Sequence, residues 1–187
     1  MGVYTNGIEP VNSYALVAYL PGELGRFLDD LRRELVPWSN PHSHVTVLPP
    51  RPLPVSTEIA WNELDVRLRE FPAFEIEVTS VEIFTGTGVI HVALGDGRYD
   101  LDLMHYRLNS GPFRFSEPFV YHPHITLAME LEFPEVRENL ELARYRWSQY
   151  RGPRRFSADT ITFVQNTTAN RWLDLAQWTL RAAPAVR

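Results

Sequence analysis

The chain of 187 residues has 44% hydrophobic and 22% charged residues, a composition typical of a folded globular protein. It contains no Cys, which excludes a disulfide framework, a thiolate metal site and a cysteine nucleophile. The net charge of −5 argues against a duplex DNA partner, because such binding comes mainly from neutralising phosphates. No apolar run is long enough to span a bilayer, and the first six residues lack a secretory signal and a myristoylation motif. We therefore expect a cytoplasmic protein with no membrane partner.

The first half of the chain predicts alternating strands and helices. Residues 13–20 form an apolar run rich in strand formers, and apolar residues then recur at helical spacing over residues 24–35. Residues 42–48 alternate and are closed by Pro49-Pro50, which predicts a second strand. A helix starting near Ser56 and a strand with one polar face, from Phe74, complete this half.

The second half repeats this order of elements. The predicted elements are a strand at 89–94, a helix at about 99–109, a strand at 122–127, a helix around 136–147, and two closing strands at 156–165 and 171–180. His44 and His124 occupy nearly the same position within the approximate repeat halves 13–84 and 89–180. A repeat of this length predicts two related lobes of mixed α and β structure, packed with pseudo-twofold symmetry. No linker separates them, so we predict one domain over residues 1–187 with interleaved lobes.

Two copies of a short motif carry the predicted chemistry, His44-Val45-Thr46 and His124-Ile125-Thr126. In a strand, residues i and i+2 project from one face, so each motif presents an imidazole beside a hydroxyl. Two histidines, one neutral and one protonated, supply the base and the acid needed to break a P–O bond near neutral pH. The spacing therefore predicts His44 and His124 as catalytic residues and Thr46 and Thr126 as phosphate-binding residues. This arrangement requires no metal and no cofactor.

These motifs resemble those of the 2H phosphoesterase superfamily, which includes the 2′-5′ RNA ligase-like proteins and the cyclic nucleotide phosphodiesterases. Two further segments are similar to the family, residues 18–21 leading into an amphipathic helix and residues 123–128. The resemblance implies an α+β, bilobal, duplicated fold with two antiparallel sheets lining a central cleft and helices on the outer faces. It also implies hydrolysis or transesterification of 2′,3′-cyclic or 2′-5′ phosphodiesters, with a small nucleotide or an RNA terminus as substrate. We expect a monomer.

Two alternatives remain open from the residues alone. Paired His-x-His elements also bind metal ions in β-barrels, although the helices argue against a barrel. A nucleotide or RNA sensor with the same groove and no turnover is the other alternative.

Residues outside the motifs have other predicted roles. We interpret His42 and His122 as rim residues on the motif faces, and His91 and His105 as structural histidines with satisfied hydrogen bonds. Arg51 is a weaker candidate for a phosphate contact. Residues 144–155 contain five arginines among three aromatic residues, and we favour a solvated helix end over a nucleic-acid platform there.

Overall fold

The computed structural model describes residues 9–39, 42–132 and 134–182. These residues form eight strands and four α-helices: β1 (Pro10–Tyr19), α1 (Gly22–Leu35), β2 (His44–Arg51), α2 (Thr57–Leu68), β3 (Phe74–Phe84), β4 (Val89–Leu94), α3 (Arg98–Leu108), β5 (His124–Ala128), α4 (Glu135–Gln149), β6 (Arg155–Ala158), β7 (Thr160–Thr167) and β8 (Trp172–Thr179). Within the described residues, no helix is long and apolar enough to cross a membrane.

The strands form two antiparallel four-stranded sheets. Their strand orders are β2-β1-β7-β8 and β5-β4-β3-β6. Strand β3 follows β1 and β2 in the chain but lies in the second sheet, while β7 and β8 follow β4 and β5 but lie in the first. The predicted bilobal α+β fold with two antiparallel sheets is confirmed.

The helices reproduce the pseudo-twofold relation between the lobes. Helix α1, which precedes β2, contacts β5 of the other sheet, and helix α3, which precedes β5, contacts β2. Strands β2 and β5 also contact each other where the two sheets meet. The two strands that bear the histidine motifs are therefore neighbours.

One hydrophobic core unites both lobes. Leu28 of α1, Ile76 of β3, Leu101 of α3 and Ile125 of β5 all belong to it and are each 0% exposed. Full burial of such a side chain contributes roughly 1.5–3 kcal/mol. The helical spacing of apolar residues in α1 is what places one face of this helix in the core.

Two sequence predictions of strand limits are wrong. Residues 156–165, predicted as one strand, belong to β6 and β7, which lie in different sheets. The chain crosses between the sheets at Asp159, whose carbonyl accepts a hydrogen bond from the Leu180 amide at 2.7 Å. Strand β2 also continues through Pro49-Pro50 to Arg51. Because β2 is an edge strand, a proline can stand there without removing a ladder hydrogen bond.

Candidate active site

Both His-x-Thr motifs lie at the start of an edge strand. Val45 and Ile125, the central motif residues, are 0% exposed and belong to the core. His44 and Thr46 on β2 are partly exposed, as are the corresponding residues of β5. The alternation of the strands therefore turns both imidazole and hydroxyl pairs away from the core, as the spacing predicts.

A β-bulge follows each motif threonine. In the first sheet Thr46 pairs with Val17 and Leu48 with Leu16, which leaves Val47 as the extra residue. In the second sheet Thr126 pairs with His91 and Ala128 with Ile90, which leaves Leu127 as the extra residue. Bulges bend a strand locally and redirect its side chains, and they are frequent beside active sites. The pseudo-symmetry of the lobes thus extends to single residues at the motifs.

Backbone carbonyl groups fix the orientation of both motif histidines. The His44 Nδ1 atom lies 2.7 Å from the carbonyl oxygen of His42, and the His124 Nδ1 atom lies 2.6 Å from that of His122. A carbonyl can only accept, so each Nδ1 carries a proton and donates it. In the neutral ring the lone pair is then on Nε2, and neither Nε2 atom has a hydrogen-bond partner among the described residues. His42 and His122 contribute through their backbone.

The surroundings of the motif histidines favour their neutral forms. Burial lowers the pKa of His44 to about 4, and the nearby Arg32 and His124 charges act in the same direction. Burial also lowers the pKa of His124, and so does the charge of His122. Since a charge on His124 affects His44, the two imidazoles share one electrostatic environment.

The threonine hydroxyls next to these imidazoles are available to a ligand. Among the described residues, neither the Thr46 nor the Thr126 hydroxyl is engaged in a hydrogen bond. Each has the imidazole two residues earlier on the same strand face. Two unpartnered Nε2 atoms and two free hydroxyl groups therefore lie on two strands that contact each other.

Aromatic rings restrain the imidazoles in each lobe. Tyr19, the cross-strand partner of His44, lies edge-on to it at 6.1 Å and stacks on His42 at 3.5 Å between ring centroids. The Tyr19 hydroxyl donates to Asp174 at 2.7 Å. In the other lobe Phe84 lies edge-on to His124 at 5.0 Å. Tyr19 also lines a cavity of about 190 Å³, but none of the four motif residues lines it.

The interpretation of His91 as a structural histidine with satisfied hydrogen bonds is wrong. It is 1% exposed, stacks on Phe84 at 3.9 Å and lies 5.3 Å from His124. Its Nε2 atom has no hydrogen-bond partner among the described residues, so it is not a satisfied structural histidine. Burial lowers its pKa to about 4. The alternation of residues 89–94 gives its strand face, but only the pairing of β4 with β5 places it opposite Thr126.

Arg51 is not available for a phosphate contact. It is 2% exposed, donates to the carbonyls of Pro49 and Phe113 and to Asn109, and forms an ion pair with Glu117. These four partners occupy its guanidinium within the protein. The hypothesis that it binds substrate phosphate is therefore wrong.

The arginines of residues 144–155 are engaged in structural contacts. Arg146 pairs with Glu34 and Arg155 with Asp96, while Arg154 lies over the buried Trp147 ring at 4.6 Å. These contacts favour the interpretation of this stretch as a helix end and the loop behind it. They leave the candidate site to the two motifs.

Metal-ligating side chains are not clustered in the described part of the chain. It contains no group of three or more His, Asp or Glu residues placed to hold a metal ion.

Two antiparallel sheets with one His-x-Thr strand each are the arrangement expected for the 2H phosphoesterase superfamily. The chain belongs to the 2′-5′ RNA ligase superfamily, whose family model matches residues 20–170.

Solved structures share this fold. Escherichia coli LigT complexed with ATP has a TM-score of 0.60 and 20% identity, over 92% of this chain and 99% of LigT. The same protein complexed with phosphate has a TM-score of 0.58 and 18% identity, with the same coverage. A structure described as a phosphoesterase has a TM-score of 0.51 and 17% identity, over 91% of this chain and 99% of its own. No curated protein sequence matches the chain.

Proposed function

We propose that the protein is a phosphoesterase that hydrolyses or transesterifies 2′,3′-cyclic or 2′-5′ phosphodiester bonds in small nucleotides or RNA ends. His44 and His124 act as general base and general acid, and Thr46 and Thr126 bind the phosphate. No step requires a metal ion. The proposal rests above all on the two Nδ1 to carbonyl hydrogen bonds, because they leave both Nε2 atoms free for proton transfer.

The proton transfers balance over one cycle. In hydrolysis of a cyclic phosphate, the His44 Nε2 atom removes a proton from water as the water oxygen bonds to phosphorus. The P–O bond to the ribose breaks, and the His124 Nε2–H group donates its proton to the leaving ribose oxygen. His44 ends protonated and His124 neutral, and proton exchange with solvent restores the starting state. An RNA hydroxyl replaces water in transesterification.

The charges around each histidine support this assignment of base and acid. Arg32 carries a permanent positive charge near His44, which disfavours the imidazolium form of that ring. The causes that lower the pKa of His124 are burial and the charge of His122, which is itself titratable. His44 is therefore better suited to be neutral and to accept a proton. A bound phosphate, being anionic, favours the protonated form of His124 that the acid requires.

The threonines have a different task from the histidines. Non-bridging phosphate oxygens gain charge in the transition state, and hydroxyl donors fixed on rigid strands stabilise that charge. Thr46 on β2 and Thr126 on β5 carry such hydroxyl donors. Each threonine follows its motif histidine by two residues on the same strand.

The comparisons support a nucleotide ligand. Structures of Escherichia coli LigT are described as complexed with phosphate, with ATP and with 3′-AMP. Together with the free hydroxyl and Nε2 groups on the two neighbouring motif strands, this favours a nucleotide phosphate as the ligand of the motifs.

The direct test is a substrate screen with single histidine variants. Purified protein is incubated with 2′,3′-cyclic nucleotides, 2′-5′ dinucleotides and cyclic-phosphate-ended RNA, with the His44→Ala, His124→Ala double variant as blank. Loss of a general acid or base typically lowers the rate about 10²–10⁴-fold, so each single variant is expected to lose activity in that range. Activity is expected to survive EDTA.

Controls separate catalysis from folding and from the alternative functions. Thermal unfolding and circular dichroism establish that both variants remain folded. Activity lost to EDTA, or retained in either histidine variant, contradicts the mechanism. Nucleotide binding without turnover on every substrate class identifies a sensor instead.

A further inference from the structure

Tyr121 connects the two motifs directly. It lies three residues before His124, and its hydroxyl donates to the carbonyl oxygen of Thr46 at 2.8 Å. Burial raises the pKa of this hydroxyl, so it remains a protonated donor. The segment leading into the second motif is thereby bonded to the backbone of the first.

His105 forms a second link at the same place. This residue of α3 stacks on the Tyr121 ring, with centroids 3.8 Å apart and planes 3° from parallel. Its Nδ1 atom lies 2.9 Å from the carbonyl oxygen of Val47, the bulge residue of β2. Because a carbonyl only accepts, Nδ1 is the donor.

The carboxylate of Glu117 lies on the far side of His105. Its Nε2 atom lies 3.6 Å from the Glu117 carboxylate, which also pairs with Arg51 at the end of β2. The side chains of His105, Glu117 and Arg51 are 12%, 10% and 1% exposed. Tyr121, His105, Glu117 and Arg51 form one continuous set of contacts, which we call the cross-lobe brace.

The location of the brace gives it a function beyond stability. The bulge interrupts the hydrogen bonding of β2 with β1 at Thr46 and Val47. The carbonyl groups of these two residues accept hydrogen bonds from Tyr121 and His105, which belong to the other half of the chain. These carbonyls belong to Thr46 itself and to the next residue, two and three positions after His44. Any shift of β2 against β5 changes the distance between the two imidazoles. Catalysis by groups held on separate elements is sensitive to displacements of about 1 Å.

We infer that Tyr121 is a positioning residue, which fixes the first motif relative to the second through the Thr46 carbonyl, with His105 as its support. The inference rests on the proposed phosphoesterase activity. Within the described chain, Tyr121 forms no hydrogen bond or ring contact with the motif imidazoles, so it acts through β2. Its loss affects the chemical step more than binding, because each motif remains intact by itself.

The test compares Tyr121→Phe with Tyr150→Phe. Both changes remove one tyrosine hydroxyl that donates to a backbone carbonyl, of Thr46 at 2.8 Å and of Pro153 at 3.2 Å. Tyr121→Phe keeps the ring that stacks on His105, and Tyr150 directly follows the last residue of α4 and bonds within residues 150–153. Thermal unfolding of both variants, kcat and KM for the best substrate of the screen, and the affinity for inorganic phosphate by NMR titration are measured.

The expected result is a kcat about 10-fold or more lower in Tyr121→Phe, with KM changed less than about 2-fold. The histidine ring signals of His44 are expected to shift in this variant and not in Tyr150→Phe. Equal kcat values in the two variants overturn the inference while the phosphoesterase activity stands. If the wild type turns over no substrate, the proposed function fails, and the inference is then decided by the His44 signals and the phosphate affinity. Identical signals and affinities in both variants overturn it.

Discussion

Because the His91 imidazole is buried, we predict that the free energy of unfolding falls in acid and that substitution of His91 removes this part of the pH dependence. Its pKa is lowered from 6.5 to about 4 by burial, so the unfolded chain binds a proton at this residue over a pH range in which the folded protein does not. Stability is therefore fully present above pH 6.5 and is lost as the pH falls from 6.5 towards 4. This loss belongs to His91, whose Nε2 atom has no partner within the described chain to stabilise the charged form.

The magnitude follows from the two pKa values. Between pH 7 and pH 5, such a histidine lowers the free energy of unfolding by about 2 kcal/mol. His91→Gln removes the titrating group and keeps an amide of similar size. Urea unfolding of the wild type and of this variant at both pH values measures the difference. We expect the wild type to lose about 2 kcal/mol more than the variant between the two pH values.

A second histidine provides an internal comparison. His44 also has a pKa lowered to about 4, so His44→Gln is expected to remove a similar part of the acid loss. An unchanged pH dependence in His91→Gln would refute the reasoning, since it requires His91 to be neutral in the folded protein. Carboxylates titrate mainly below pH 5 and contribute alike to all these proteins.

Three further outcomes follow from the site and its surroundings. The pH profile of kcat/KM is expected to have its optimum between pH 4 and 6.5. His44 must be neutral, which requires a pH above its pKa of about 4, and His124 must be protonated, which requires a pH below its lowered pKa. An optimum above pH 7 contradicts this mechanism. Thr46→Val is expected to lower kcat/KM less than His44→Ala does, and equal losses in steady-state assays contradict separate roles. Glu117→Gln leaves the Arg51 charge buried without its partner and is expected to cost about 3 kcal/mol in urea unfolding, so a loss below about 1 kcal/mol contradicts the importance of this pair.

The sequence contains the local signals that place the motifs. Alternation around His44 and His124 predicts strands with the imidazoles on the polar face, and the structure shows Val45 and Ile125 buried on the other. The helical repeat of leucines predicts α1, and the alternation from Phe74 predicts β3. These features depend on neighbours within a few positions of the chain. The catalytic roles of the motif residues stay a prediction.

Features that depend on long-range pairing have no local signal. The break at Asp159 carries neither Gly nor Pro, and it exists because β6 and β7 pair with different sheets. The proximity of His91 to Thr126 requires the register of β4 against β5. The hydrogen bond from Tyr121 to Thr46 joins residues 75 positions apart. The alternation of polar and apolar residues predicts which face of a strand a side chain lies on. It does not predict which distant residue that side chain contacts.

The exchange of strands between the sheets has a consequence for biosynthesis. Strand β1 is central in its sheet, and its neighbour β7 is synthesised much later than β1. The hydrogen bond from the Gln165 amide of β7 to the Tyr14 hydroxyl of β1 joins residues 151 positions apart. Until β7 leaves the ribosome, the nascent first sheet has one open side and an incomplete core. Closure of such a distant pair is slow in folding, so we expect the first sheet to be completed late, with its open side exposed to aggregation until β7 pairs.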